Sequence, residues 1–445
     1  MPTTSPYRPR LRSPFDGEIL RLAVPALGAL IAEPLYVLAD TAIVGHLGTR
    51  QLAGLAVAGI VLTAAFAIFN FLAYSTTGAV ARRLGAGKDA DATAIGVDAA
   101  WLALGLGVAL AIVGVVLAPL VVDAMGASAG ARSYAITYLR ISAAGAPAYL
   151  MALAGAGFLR GMQDTRTTLF IAVGANVVNI ALEVLLVYGL HTGIAGSAWG
   201  TVLAQLTAAL AYVVIIRRFA RRTGARLRPD ADGVTQVARI GGPLIVRTGS
   251  LLAVSLTVTA LAARIDDVAV AAHQIAFQVN LLLALALDAI AIAAQAMVGR
   301  YLGAGEPDRA RAASVRMIEL GIVAGLVVGL VVAATAPWFP DLFTDDRAVI
   351  DLAAQVLLVV AVMQPLAAVV FVLDGVLIGA GDQRYLALAM VVASFGVFAP
   401  LALLVAASGG GLLALWGAIA AWIVARAVGM VGRFIGPRWE RVGSV

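Results

Sequence analysis

Residues 101–122 read WLALGLGVALAIVGVVLAPLVV, without one charged side chain. A bilayer's hydrocarbon core takes a helix of roughly 20 apolar residues, so this stretch is long enough to cross it. The runs 321–336 and 386–407 have the same character. They raise the chain to 62% hydrophobic and hold it to 13% charged. A soluble domain is roughly half apolar and about a quarter charged. The fold class expected is therefore all-α and integral to the membrane.

Working outward from that run, the expected transmembrane helices are 17–46, 52–81, 93–122, 131–159, 167–190 and 194–220 in the first half. In the second half they are 235–263, 268–298, 310–337, 347–378, 384–407 and 411–436. Short connections rich in Gly, Asp and Pro join them. The net charge is +6. Its positions point to topology rather than to nucleic acid. Most Lys and Arg fall at the two ends (Arg8, Arg10 and Arg12 among them) and in alternate loops, above all Arg217 to Arg239. The positive-inside rule then places both termini in the cytoplasm of a multi-pass plasma-membrane protein. No signal-peptide pattern precedes the first span. The chain has no cysteine, which excludes thiolate metal sites.

An internal repeat organises the chain. Arg21-Leu-Ala-Val-Pro25 resembles Arg239-Ile-Gly-Gly-Pro243, and Arg82-Arg-Leu-Gly-Ala-Gly87 resembles Arg300-Tyr-Leu-Gly-Ala-Gly305. Pro119 pairs with Pro337, Pro147 with Pro365, and Gly161-Met-Gln-Asp164 with Gly379-Ala-Gly-Asp382. All five share an offset of 218 residues, and Trp199-Gly200 pairs with Trp416-Gly417 one residue short of it. Six helices per repeat is an even number, so both halves enter from the same side. The expected architecture is twelve helices in two pseudo-symmetric lobes, 1–222 and 239–445, joined by a cytoplasmic linker at 223–238. Such repeats suit transporters that rock one half against the other around a midplane site.

Charge inside a membrane costs at least ~2.5–3.5 kcal/mol and needs a partner, water or a function. The first helix carries Glu33, Tyr36 and Asp40, spaced to share one face. The fifth carries Asn176, Asn179 and Glu183 at the same spacing, and the sixth carries Thr201 and Gln205 one turn apart. Three polar stripes in one half can converge on one cavity, where two carboxyls with amide and hydroxyl oxygens suit a proton or a hard monovalent cation. A structural hydrogen-bond network is the rival reading. The repeat supplies a control: Glu33, Tyr36 and Asp40 fall opposite Leu251, Val254 and Val258, while Asn179 and Glu183 fall opposite Val397 and Leu401. Bundle packing alone would need the same polarity twice. The asymmetry favours a site in the N-terminal half.

Elsewhere, Arg247 and Asp288 lie inside the seventh and eighth helices and are expected to form an ion pair or to face the central cavity. Arg426 is expected to snorkel or pair. Asp98, Asp374 and Glu319 are expected near helix ends in contact with solvent. Pro25 and Pro34 kink the first helix, and a kink beside Asp40 can act as a gate; Pro147 and Pro365 read as static kinks. His46, His191 and His273 have no companion at metal-ligand spacing. No P-loop, HExxH or GxSxG pattern occurs, which argues against ATP hydrolysis or another enzymatic role.

With these residues in view, the chain resembles the multidrug and toxic compound extrusion (MATE) family, and within it the DinF-like branch. The resemblance rests on Pro25 with Ala39-Asp40-Thr-Ala-Ile-Val-Gly-His-Leu-Gly48, on Arg82 to Gly87, on Gly155 to Arg166, and on Asn176 to Glu183. It implies two six-helix lobes around a V-shaped cleft, a monomer, and export of small organic, often cationic compounds driven by H+ or Na+, with no cofactor. It implies cation coupling at Asp40, Asn179, Glu183 and Thr201, with Asn176 one turn away. Glu33, Tyr36, Gln205, Arg247 and Asp288 are expected to line the substrate cleft, and Pro25 to form the gating kink. Two departures stand out: relatives often carry Asp where Glu183 stands, and the NorM-like carboxylate of the seventh helix is replaced near Leu251. A flippase for a lipid-linked precursor on the same fold is the alternative. It would need a cleft rich in Arg and Lys, and only Arg247 and Arg426 are available.

Overall fold

A computed structural model describes residues 13–443; Arg8, Arg10 and Arg12 lie outside the described residues. Within these, every regular element is helical. Eleven helices are long and apolar enough to cross a membrane, and a bent pair supplies a twelfth span. The first six are α1 (Asp16–Gly45), α2 (Thr49–Gly85), α3 (Asp89–Ala124), α4 (Ala129–Ala144 with Ala146–Gly161), α5 (Thr165–Gly189) and α6 (Ile194–Thr223). The second six are α7 (Ala231–Ile265), α8 (Asp267–Gly303), α9 (Pro307–Thr335), α10 (Arg347–Gly379), α11 (Gln383–Ala407) and α12 (Leu412–Ile435).

Asp side chains start several of these helices. Asp164 accepts from Thr167 N at 3.0 Å, Asp266 from Ala269 N at 2.6 Å, and Asp346 from Ala348 N at 2.9 Å. Each satisfies an amide that the first turn leaves unpaired. Asp230 does the same for Gly233, so α7 begins at Ala231 rather than at 235. Gly224, at φ +73°, ends α6, and the connection between the halves is only 224–230.

The repeat is not perfect in shape. α4 bends by 49° between Ala144 and Ala146, beside Pro147, whereas the matched Pro365 lies inside an unbroken α10. Gly145 at the α4 joint sits against Val202 and Gln205 of α6, while Met363 occupies the matched place. A glycine with a proline two residues on is a weak point in a helix; a methionine is not.

Large apolar side chains point outward. Val116, Leu120, Leu330, Val362, Leu403 and Val428 are all more than half exposed. Water would penalise that surface, and lipid tails would not. Backbone groups meanwhile bond within each helix, as a bilayer requires.

The first and last described residues gather at one end of the bundle, where Glu18 meets Arg300 and Gly443 N donates to Leu302 O. The two halves also touch there. Ala26 of α1 packs on Ala289 and Ile292 of α8. Gly78 of α2 lies against the Ile378 carbonyl, and Gly241 of α7 against the Phe71 ring. These contacts lie in the half of each span nearest the termini. Among the described residues, Thr49–Ala67 of α2, toward the opposite end, has no comparable contact with the second half, so these contacts form the floor of a cleft that opens that way.

Candidate cation site in the N-terminal half

α1 runs unbroken through Pro25 and Pro34 and carries Asp40 to a buried position between α4 and α6. Asp40 Oδ2 accepts from Tyr138 Oη of α4 at 3.0 Å. Its Oδ1 accepts a short bond from Ser197 Oγ of α6. Charge-assisted bonds of this kind fix the carboxyl firmly and are about twice as strong as neutral ones.

A second cluster faces the first. Glu183 of α5 is completely buried, and its Oε1 accepts from Asn179 Nδ2 at 2.8 Å and from Thr201 Oγ1 at 3.3 Å. Tyr36 Oη lies 3.2 Å from the same threonine hydroxyl and so joins α1 to this network. The Asp40 and Glu183 carboxyls are direct electrostatic neighbours. Glu183 Oε2 and Asn179 Oδ1 are buried and have no partner among the described residues. Both are acceptors, so the pocket can take up a proton or a small cation.

Two local features make room for Glu183. Immediately after Val184 the α5 backbone widens into a π turn, Leu185–Gly189, a distortion that recurs at functional sites. On the other side, Gly200 of α6 presses against it: a Cβ there would stand 2.7 Å from Glu183 Cγ. The matched Gly417 has open space around it.

The remaining stripe residues separate. Glu33 shares a face of α1 with Ala26 and Leu30, which pack on α8, so it stands exposed in the cleft just above the floor. Arg160 is the cation whose field reaches it. Asn176 donates to the Ala32 carbonyl at 2.5 Å, tying α5 to α1 outside the carboxyl network. Gln205 is turned toward the α4 joint, where its Oε1 has no partner among the described residues. Tyr138 and Ser197 were not among the sequence candidates. Ser197 lies one turn before Thr201 and extends the stripe 197, 201, 205, which was the available signal. Tyr138 offered little: Ser142, one turn on, is the other buried polar residue of that helix segment, and the exposed Arg132, Thr137 and Arg140 around them obscure any stripe.

The C-terminal half departs from expectation. Arg247 does not pair with Asp288. It donates to Asp374 Oδ2 at 2.6 Å, and Arg426 donates to the same oxygen at 2.8 Å. Asp374 is buried, not solvated at a helix end, and the side chains of Arg247 from α7 and Arg426 from α12 reach it there. Arg247 also lies 6.0 Å from the Tyr74 ring, which carries the cluster to the floor of the cleft, with Asp288 beside Tyr74. Both arginines that a pyrophosphate would need are thus already engaged. Asp98 is likewise buried rather than solvated, held by both nitrogens of Arg226 at 2.8 Å. That carboxylate in turn raises the Arg226 pKa through the hydrogen bond. Glu319 pairs with Arg316 at 3.0 Å. His273 is buried against Trp416 and bonds Thr259. Among the described residues no cluster of three His, Asp or Glu is placed to hold a metal ion.

The MatE family model matches residues 25–185 and again 243–404, so its two matches begin at Pro25 and Pro243. Protein DETOXIFICATION 44, chloroplastic, of Arabidopsis thaliana is 33% identical over 442 residues, covering 96% of this chain and 84% of that protein. DNA damage-inducible protein F of Escherichia coli (strain K12) is 29% identical over 390 residues, covering 86% of this chain and 84% of that protein. A crystal structure described as MATE in the bent conformation superposes with a TM-score of 0.85 at 23% identity, over 95% of this chain and 94% of that one. At that identity the likeness speaks for the fold.

Proposed function

The chain belongs to the MatE family of multi-pass membrane transporters, and from that premise we propose that it is a cation-coupled efflux antiporter. It exports small organic compounds, often cationic and amphipathic, in exchange for protons that enter through the N-terminal half. Asp40 and Glu183 carry the protons. The observation that supports this best is two neighbouring buried carboxyls on α1 and α5, with apolar residues at both matched positions of the second half.

The chemistry follows from the pocket. Two carboxyls sharing one desolvated site resist being ionised together. With the site deprotonated, its negative charge favours a cationic substrate in the cleft. Protonation removes that charge and releases the substrate at the open end. Each ligand must disfavour the state the other selects, and only this differential affinity drives exchange. α1 couples the two events, because Asp40 sits in the pocket while Glu33, on the same helix, faces the cleft. Pro25, on the N-terminal side of both residues in the same helix, is the hinge about which α1 moves. Na+ is the second candidate ion, favoured by the free oxygens of Glu183 and Asn179 beside Thr201. The positive-inside bias supports a plasma-membrane orientation with the terminus-bearing end in the cytoplasm.

The test is proton release on binding. Purified protein in weakly buffered detergent solution is mixed with a lipophilic fluorescent cation while the pH is followed. Wild type should release protons as the cation binds, and Asp40→Asn should release fewer. Binding without proton release in the wild type, at any pH, would remove the proton from the mechanism.

A further inference from the structure

Arg82 ends the second span and Arg300, its repeat partner, ends the eighth. Each reaches across into the opposite half. Arg300 Nη1 donates to Glu18 Oε1 of α1 at 3.1 Å and to Gln163 Oε1 at 2.7 Å. Arg82, only 3% exposed, donates to the backbone carbonyls of Arg441 and Gly443 in the C-terminal tail. That tail is itself bound to the second half. Trp439 is buried on Phe434, Arg311 pairs with Glu440 at 2.5 Å, and Gly443 N donates to Leu302 O.

The surroundings of the two arginines repeat as well. Gly85 lies against the Arg300 carbonyl and Gly303 against the Arg82 carbonyl, a reciprocal approach that no larger residue would permit. Gln163 touches Arg300, and its match Gly381 faces the Arg82 guanidinium, which a Cβ there would meet at 3.9 Å; both hold a left-handed backbone, at φ +62° and +76°. For a glutamine that conformation costs on the order of 1 kcal/mol, and it recurs where a side chain must be aimed. Glu18 takes Tyr301 Oη at 2.6 Å, and its match Gln236 takes Arg83 at 2.9 Å.

We propose that Arg82 and Arg300 form a two-part lock that holds the terminus-bearing end of the cleft shut, with the C-terminal tail as the keeper for Arg82. Both parts must release when that end opens. The proposal rests on the alternating-access reading above, and its test separates the two. Wild type lacks cysteine, so spin labels can be placed freely. Ala90→Cys with Asp308→Cys reports the terminus-bearing end, and Thr49→Cys with Asp267→Cys reports the opposite end; all four positions are exposed. Double electron–electron resonance is measured in wild type, Arg82→Gln, Arg300→Gln and the milder Gln163→Gly. The lock predicts a longer component at the 90/308 pair in each variant, with a matching shorter component at 49/267. Unchanged distances in all three variants overturn it. Broadening at both pairs without the opposed shift overturns it too, since that marks a packing role. If the opposed shift appears while a lipophilic dye is not moved under any ion gradient, the lock stands and the antiport reading fails.

Discussion

At the scale of single residues, the proposed coupling depends on how Asp40 is held. Tyr138 and Ser197 both donate to it. A hydrogen bond to a charged group contributes about 1.5–3 kcal/mol. Tyr138→Phe and Ser197→Ala should therefore each slow gradient-driven dye efflux by about tenfold or more, with the protein still folded and in the membrane. Initial efflux rates in proteoliposomes check this, and wild-type rates in both would show that neither bond matters. Asp374 makes a different kind of prediction. Two buried arginines share one of its oxygens, and removing the charge leaves both unpaired. Asp374→Asn should destabilise the protein by about 3–5 kcal/mol. Its melting temperature in detergent should fall clearly, and an unchanged one would contradict the reading. The sequence made Asp40, Asn179, Glu183 and Thr201 legible because helical spacing marks a polar face within an apolar span. It could not reveal the Asp374 cluster, whose partners Arg247 and Arg426 come from helices distant in the chain.

At the scale of elements, the informative sites are those where the two repeats differ. Gly200 is confined by Glu183, and Gly417 is not. Gly200→Ala should push the Glu183 carboxyl out of its bonds with Asn179 and Thr201 and cut coupled efflux severalfold. Gly417→Ala should leave efflux within error of wild type. Equal effects at the two positions would show that the glycines serve helix packing rather than the pocket. Pro25 can be tested in the same assay. Pro25→Ala restores a backbone donor to α1 and stiffens it, so transport should slow while stability holds or rises. The matched prolines at 147 and 365 both read as kinks in the sequence, and the first lies at a break in its helix while the second lies within a continuous one. The difference lies in Gly145 against Met363, a contrast that acquires meaning only once α6 is seen packed on the joint.

At the scale of the whole molecule, the two repeats differ in where they place their buried polar groups. The first keeps a small polar pocket with unfilled acceptors. The second ties two buried arginines to one oxygen of a single carboxylate, Asp374. The arrangement in space was largely readable from sequence: twelve spans, their register, and the repeat at one offset. What was not readable is where the halves meet. The contacts at Gly85, Gly303, Arg82 and Arg300 join segments distant in sequence, and no periodicity announces them.

The central claim is that proton entry through Asp40 and Glu183 drives export. The most direct measurement is movement of a fluorescent cationic dye in proteoliposomes under an imposed pH gradient or an imposed Na+ gradient, for wild type and Asp40→Asn. The account predicts dye movement under the pH gradient in wild type, and its loss in Asp40→Asn. Equal pH-driven movement in both proteins, or none in wild type under the pH gradient, would contradict it.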